Sequence, residues 1–223
     1  MLENYESFIN RVESLGFMAF SSILPGWTSL SDETMESQWH TGAIDTDPWK
    51  GKDRAAAEKK LAFGCIMNGH KVFVSQAWYT LFYTAYHPTA PIEERWEAGE
   101  VNQTVMKVWQ LFSEGGSLST DDIRYRLGVR KKHGAGPVDT ALKTLQKEYY
   151  ITVSGNRRKF NARGEPYGWP ANTYERVKDW APPDWIRQVN LKNREKARKK
   201  ILEAVCAQCD FPDLKVISRV LDL

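Results

Sequence analysis

The chain has 223 residues, of which 42% are hydrophobic, so it can bury a full core as one large domain or two small ones. No apolar run approaches the ~20 residues that cross a bilayer, and the acidic start Met1-Leu2-Glu3 lacks the basic residues of a signal peptide. Three cysteines are too few for a disulfide framework and fit a reducing compartment. We therefore expect a soluble, cytoplasmic protein that does not contact a membrane.

The first elements in chain order are predicted to be helices. Apolar residues from Tyr5 to Leu15 recur at helical spacing, and Gly16 ends this helix. A second helical stretch is predicted around residues 32–39, a loop over residues 45–49 and a basic helical segment over residues 54–61. The region before residue 61 is therefore expected to be mainly helical.

A β-hairpin is predicted next. Residues 62–67 and 71–74 are β-prone, and Asn68-Gly69-His70 between them is typical of a hairpin turn. Ser75 is expected to cap a further helix, and a short helix is predicted over residues 92–98.

Three short helices are predicted between residues 101 and 148. The first covers residues 101–112 and ends before Gly115-Gly116, and the second begins at Ser119 or Thr120, either of which can cap it. A basic loop over residues 130–134 follows. The third helix begins at Gly136-Pro137, and its predicted buried stripe consists of Val138, Ala141, Leu142 and Leu145.

A second hairpin is predicted directly after these helices. Residues 149–153 are β-branched and aromatic, Ser154-Gly155-Asn156 is turn chemistry, and residues 157–160 are expected to return as the second strand. The order of three helices and a hairpin is that of a winged helix. A last helix is predicted over about residues 191–209, after Pro182-Pro183.

The charges are distributed unevenly along the chain. Between Arg126 and Arg163 there are ten Lys or Arg residues against two acids, a local balance of +8, whereas the first fifty residues have a balance of −6. A protein that holds a duplex must place cations along the phosphates, so this pattern favours double-stranded DNA as the partner. The alternative is a winged helix that serves as a protein-protein interaction module.

The predicted DNA-binding residues fall into two groups. On the outward face of the third helix, the residues that would enter the major groove are Thr140, Lys143, Thr144 and Lys147. In the basic loop and the wing, the residues that would position the phosphate backbone are Arg130, Lys131, Lys132, Arg157, Arg158 and Lys159.

Several stretches resemble a known bacterial family. They are Val108 to Ser119, the helix end Ala141-Leu142-Lys143-Thr144-Leu145, the run from Tyr174 to Pro182, Asp47-Pro48-Trp49, Phe63-Gly64, and Gly164 to Pro170. These residues are similar to the winged-helix AlkZ and YcaQ DNA glycosylases, and most closely to the AlkZ-related proteins. The resemblance implies a link to the repair of alkylated bases in DNA.

The larger enzymes of that family release alkylated bases with a Gln-x-Gln or Gln-x-Asp motif, which aligns and deprotonates water as the sugar gains positive charge. The nearest match here is Gln38-Trp39-His40, so the resemblance implies Gln38 and His40 as the candidate catalytic residues. Histidine departs from the motif, although it can act as a base near neutral pH.

Other sites are less well supported by the sequence. Cys206 and Cys209 have the spacing of half a zinc site, but two cysteines three apart on a helix usually share a buried face, so we expect no metal. Asp45 and Asp47 fit a loop better than a carboxylate pair. No phosphate-binding loop or dinucleotide motif is present in the sequence, so no cofactor and no nucleotide partner is expected.

The sequence thus predicts an α+β protein in three parts. Residues 1–98 form a mainly helical region with a hairpin, which is alternatively a degenerate winged helix; residues 99–180 form a winged helix-turn-helix, and residues 181–223 form a helical extension. The predicted function is binding of double-stranded DNA without the family's standard catalytic motif. An active alkylated-base glycosylase is the alternative, so the enzyme assignment stays open.

Overall fold

The computed structural model describes residues 1–129, 135–161 and 163–222. It is a mixed α/β protein in which short helices surround two small antiparallel sheets. The elements of its first part are α1 (Tyr5–Leu15), β1 (Phe17–Ala19), α2 (Pro48–Ala57), β2 (Leu61–Met67), β3 (His70–Ser75), α3 (Gln76–Tyr86) and α4 (Ile92–Glu97).

The second part continues with the same alternation of short helices and strands. Its elements are α5 (Gln103–Gln110), β4 (Leu118–Ser119), α6 (Thr120–Arg126), α7 (Ala135–Lys147), β5 (Ile151–Arg157), β6 (Ala171–Arg176), α8 (Val177–Trp180), α9 (Pro183–Ile186), α10 (Arg194–Gln208) and α11 (Leu214–Leu221). Short 3-10 helices cover Glu36–Gln38 and Leu191–Asn193.

The first sheet has the strand order β1-β3-β2. Its β2–β3 hairpin is the predicted one, and Phe63 lies opposite Phe73 in the register. Asn68 and Gly69 adopt φ values of +46° and +81°, which a two-residue hairpin turn requires and which Asn and Gly tolerate best. The Asn-Gly signal therefore located this turn correctly.

The second sheet has the strand order β4-β6-β5 and corrects the predicted second hairpin. Ser154-Gly155-Asn156 is not a turn but lies inside β5, where the register shifts between Val153 and Gly155. Gly155, at φ +144°, forms part of a bulge that lets the strand continue. The return strand is therefore β6 and not residues 157–160.

Three other sequence predictions in the N-terminal region need correction. The helical stretch around residues 32–39 is reduced to the 3-10 turn Glu36–Gln38, with turns on either side. The predicted loop over 45–49 is confirmed only over 45–47, and the predicted helix over 54–61 is helical only over 54–57, because α2 covers Pro48–Ala57. The Asp47 side chain accepts from the Trp49 N–H at 2.9 Å, so Asp-Pro starts the helix as a cap followed by proline.

Two buried clusters form the core, and both combine residues from distant parts of the chain. The first joins Phe8 and Phe73 to the stripe of α7, in which Val138, Ala141, Leu142 and Leu145 are all buried as predicted. The second joins Phe17 and Trp27 to Trp180, Trp185 and the inner face of α10. Because the clusters cross residues 98 and 180, the three-part division stays a prediction.

Within the described residues, none of the helices combines the length and the apolar character needed to span a bilayer.

Candidate functional site

A cleft of about 320 Å³ lies between the β2–β3 hairpin and helix α7, with β5 and β6 as its floor. Residues that line it include Phe63, Cys65, Lys71, Lys143, Gln146 and Tyr174. Lys71 and Lys143 are exposed at this site, whereas Phe63 and Tyr174 are buried. The cleft therefore combines an aromatic and amide interior with two exposed cations.

The walls of the cleft are joined by one buried side chain, Gln146 of α7. Its Oε1 accepts from the Cys65 N–H at 3.1 Å, and its Nε2 donates to the Leu142 carbonyl at 3.0 Å. A Cβ at Gly64 would lie 2.7 Å from the same Oε1, and Gly64 has φ +156°. Glycine at this position therefore allows the hairpin to approach α7 closely.

Polar groups at the floor of the cleft are already hydrogen-bonded to one another. The Tyr174 hydroxyl interacts with the side chains of Thr120 and Asn172, and burial raises the pKa of Tyr174. Asp139, at the edge, accepts a hydrogen bond from Arg124 at 2.7 Å. A ligand in the cleft would thus meet an ordered polar surface.

A buried ion pair of α2 lies near the inner end of this cleft. Lys52 and Asp53 are only 4% and 7% exposed, and the Lys52 ammonium donates to Asp53 Oδ1. Lys52 Nζ is 4.4 Å from the centroid of the Trp49 ring and 5.7 Å from that of Phe63. Burial lowers the pKa of Lys52, and the carboxylate of Asp53 opposes part of this shift.

Two contacts relate the ion pair to the cleft. Phe63 lines the cleft and also faces Lys52. Asn156 of β5 donates its side-chain N–H to Asp53 Oδ2 and is paired across the sheet with Asn172, which lines the cleft. Buried lysines with a perturbed pKa are enriched at functional sites, so Lys52 and its partner Asp53 are included in the candidate site.

Lys52 and Asp53 were not predicted as site residues, although the sequence carries a signal for Lys52. Lys52 lies at helical spacing from Pro48 and Ala55, which are buried on the inner face of α2. A lysine on the inward side of a helix is unusual because its charge must be paired or neutralised.

Three aromatic rings meet beside this pair. The His40 ring lies 5.1 Å from those of both Trp49 and Trp169, and the two tryptophan rings are 5.8 Å apart. Trp169 is 61% exposed and belongs to the loop between β5 and β6, which we call the wing loop and whose described residues are 158–161 and 163–170. Phe160 and Tyr167 of the same loop are also exposed.

The structure does not bring the two candidate catalytic side chains to a common site. Gln38 Oε1 accepts from the Met35 N–H at 2.9 Å, and its Nε2 donates to the Leu2 carbonyl at 3.2 Å. Gln38 lines a cavity of only about 20 Å³, enough for roughly one water molecule. His40 instead packs between tryptophans, and its backbone N–H donates to Asp47.

Asp45 and Asp47, which the sequence assigned to a loop, do not act as a carboxylate pair. Asp47 caps α2 and accepts from the backbone N–H groups of His40 and Gly42 at 3.1 and 2.9 Å. Asp45 is largely exposed and faces Arg54 at 3.9 Å. Among the described residues, no group of three or more His, Cys, Asp or Glu side chains is arranged to hold a metal ion.

The predicted major-groove residues of α7 divide between two surroundings. Thr140 and Lys143 are exposed, and Lys143 borders the cleft. Thr144 and Lys147 are half-buried, and Lys147 forms an ion pair with Asp222 at 3.0 Å. Of the four predicted residues on this helix, Thr140 and Lys143 are therefore the two that are openly presented.

The predicted wing cations lie next to the first turn of α6. Arg157 pairs with Asp122 at 2.6 Å and Lys159 with Asp121 at 3.1 Å, while Arg158 is exposed and donates to the Gly168 carbonyl at 3.2 Å. The remaining three predicted residues, Arg130, Lys131 and Lys132, lie outside the described residues.

The fold and the site define a class of small α+β protein with a surface cleft bordered by Lys71 and Lys143. The profile of the AlkZ-related family matches residues 2–222, and the chain belongs to this family. Membership relates the chain to the DNA glycosylases of base repair. No curated protein and no solved structure gives a significant match.

Proposed function

We propose that this protein binds double-stranded DNA through a winged helix formed by α5 to β6. The chain order α5, β4, α6, α7, β5, β6 and the strand order β4-β6-β5 support this proposal. In such a module α7 is the recognition helix and the wing loop contacts the backbone or minor groove. Family membership provides the link to DNA, and the module provides the contact surface.

The observation that carries the proposal is the composition of the wing loop and the strand end before it. Arg157, Arg158 and Lys159 stand next to the exposed rings of Phe160 and Trp169. Cations that follow a phosphate backbone, interleaved with exposed aromatic rings that stack on bases, are typical of nucleic-acid-binding surfaces.

The ion pairs of Arg157 and Lys159 are compatible with this role. The Arg157–Asp122 and Lys159–Asp121 pairs lie at the surface, where an ion pair contributes only about 0–1 kcal/mol to the free energy of folding. A phosphate group can therefore replace Asp121 and Asp122 at little cost. Because α7 offers only Thr140 and Lys143 openly, most of the affinity should be independent of sequence.

The surroundings of Gln38 and His40 favour binding over the family's usual hydrolysis. Both ends of the Gln38 amide are already used: Oε1 accepts from the Met35 N–H, and Nε2 donates to the Leu2 and Glu3 carbonyls. Glycosylase activity is nevertheless a second candidate, favoured by the family and by a cleft whose 320 Å³ falls within the roughly 300–1,000 Å³ of ligand pockets. It predicts release of free alkylated base that is lost in Gln38→Ala or His40→Ala.

The test of DNA binding is the affinity of the full chain for a labelled duplex, measured by fluorescence anisotropy over a series of salt concentrations. The double variant Arg157→Glu, Arg158→Glu should bind every duplex sequence more weakly. The slope of log K against log salt should fall in magnitude by about one to two, because each lost phosphate contact removes about 0.9.

A matched control carries the same change in net charge elsewhere. Arg187 and Lys199 are exposed cations on or beside helices outside the proposed module, and each is paired with a nearby acid. The variant Arg187→Glu, Lys199→Glu should leave the slope unchanged. An equal loss in both double variants, or none in the first, would exclude the wing from the interface.

A further inference from the structure

We propose that Lys52 is an amine nucleophile that forms an imine with the ring-opened aldehyde of an abasic site in DNA. This inference rests on the proposed function, because the sugar reaches the protein only as part of a bound duplex. It assigns a covalent activity to a residue outside the Gln38-Trp39-His40 motif.

The first support is the incomplete solvation of the Lys52 ammonium. Among the described residues its hydrogen-bond partner is Asp53, although an ammonium group carries three protons. The faces of Trp49 and Phe63 lie close by, at 4.4 and 5.7 Å from Nζ. Because the amine is buried away from water, its neutral and nucleophilic form is favoured, as in other lysines that form imines.

The second support is the carboxylate beside the amine. Asp53 Oδ1 accepts the ammonium proton, and Oδ2 is held by the Asn156 side chain. The carboxylate is thus fixed in position by a residue of the second sheet. A nucleophile adjacent to a base that is oriented by a third group has the arrangement required for covalent catalysis.

The third support is the position of the pair relative to open space. Phe63 separates Lys52 from the cleft, and Trp49 on the other side is half-buried under the exposed Trp169 ring. Because Lys52 is only 4% exposed, the half-buried Trp49 ring must move aside before an aldehyde can reach the amine. Lys71 at the cleft and Lys50 beside Trp49 carry charges for the flanking phosphates.

The aldehyde follows from the chemistry of the related enzymes. Removal of a base leaves a deoxyribose whose ring-opened form is an aldehyde at C1′. Asp53 takes a proton from the Lys52 ammonium, the amine adds to C1′, and the carbinolamine loses water to give an imine. Loss of a C2′ proton to a base then expels the 3′ phosphate, and water hydrolyses the imine to regenerate the amine.

The experiment incubates the full chain with a duplex that carries one abasic site, in the presence of sodium borohydride. Borohydride reduces an imine to a stable secondary amine, so a covalent protein–DNA band should appear on a denaturing gel. Peptide mass mapping of that band should place the adduct on Lys52. Mapping to another lysine or to the N-terminal amine would overturn the inference.

Two variants sharpen the result. Lys52→Arg keeps the positive charge beside Asp53 but cannot form the imine, so the band should be lost while the circular dichroism spectrum is retained. Lys199→Arg makes the same change at an exposed position on α10, outside the cleft and the proposed module, and should retain the band. If Lys52→Arg does not fold, the mass mapping of the unaltered chain decides the question alone.

The outcome also separates this inference from the proposed function. Binding of the abasic duplex by anisotropy without any trapped band overturns the role of Lys52 and leaves DNA binding standing. Absence of both binding and band overturns the two proposals together. Trapping on Lys52 together with wing-dependent binding supports both.

Discussion

Gly16 shows how one residue fixes the first helix against the second core. It ends α1 at φ +85°, and a Cβ there would lie 2.2 Å from Nε1 of Trp78. Gly16→Ala should therefore combine the strain of a positive φ with a clash against a large ring. We expect a loss of roughly 2–4 kcal/mol in the free energy of unfolding, measured by urea denaturation.

Gly116→Ala is the matched control for this prediction. Gly116 has nearly the same φ, +82°, but a Cβ there meets no atom within 4 Å. Gly116→Ala should therefore lose only the contribution from the strained positive φ, about 1–2 kcal/mol in the free energy of unfolding. Equal losses at the two positions would show that Trp78 gives way and that no clash exists.

The side-chain partners of the individual site residues were the part of the site that the sequence predicted least well. The motif Gln38-Trp39-His40 has chemically suitable groups, but the atoms that bond to Gln38 belong to Leu2, Glu3 and Met35. Conversely, the surroundings of Lys52 include Asn156, which is brought to Asp53 by the packing of β5 on α2. Side-chain partners that are distant in sequence leave no local periodicity to detect.

At the scale of elements, Gln146 is the link between α7 and the β2–β3 hairpin. Gln146→Leu removes the acceptor of the Cys65 N–H and leaves a half-buried donor unpaired. We expect a loss of about 1–3 kcal/mol in unfolding free energy by urea denaturation. Thr140→Ala, on the exposed side of the same helix, should stay within about 0.5 kcal/mol. A loss of similar size in Thr140→Ala would contradict the assigned role of Gln146.

Elements with complete local signals were predicted well from the sequence. The helix α1 and the β2–β3 hairpin lie within one or two residues of their predicted bounds, and α3 begins directly after Ser75, its predicted cap. β1 and β6 were missed because each is defined by pairing with a strand far along the chain. In β5, the Ser-Gly-Asn run has the composition of a turn, but long-range pairing with β6 makes it a bulge.

At the scale of the whole molecule, buried tyrosines make stability depend on alkaline pH. Burial is the largest cause of a raised pKa in seven tyrosines, Tyr5, Tyr79, Tyr83, Tyr86, Tyr149, Tyr150 and Tyr174. The pKa of Tyr83 rises to about 12, against the ordinary value of 10.0. The folded state therefore retains phenol protons that the unfolded chain gives up.

The sign of the effect follows from this difference. The stability contributed by these groups is complete below pH 10.0, the ordinary pKa, and is lost as the pH rises toward and beyond about 12. Urea denaturation midpoints should therefore fall steeply above pH 10.0. Tyr83→Phe should reduce this fall, whereas a midpoint that is flat across the same range would contradict the prediction.

The two sheets share one further property. In both, the central strand is the last of the three strands to be synthesised: β3 in the first sheet and β6 in the second. A nascent chain on the ribosome can therefore complete the first sheet once Ser75 has emerged, but β4 and β5 wait without a partner until residue 176. During that interval two unpaired strand edges are open to other chains. Fragments that stop short of β6 should consequently aggregate, and translation pauses after Arg176 should be harmless by comparison.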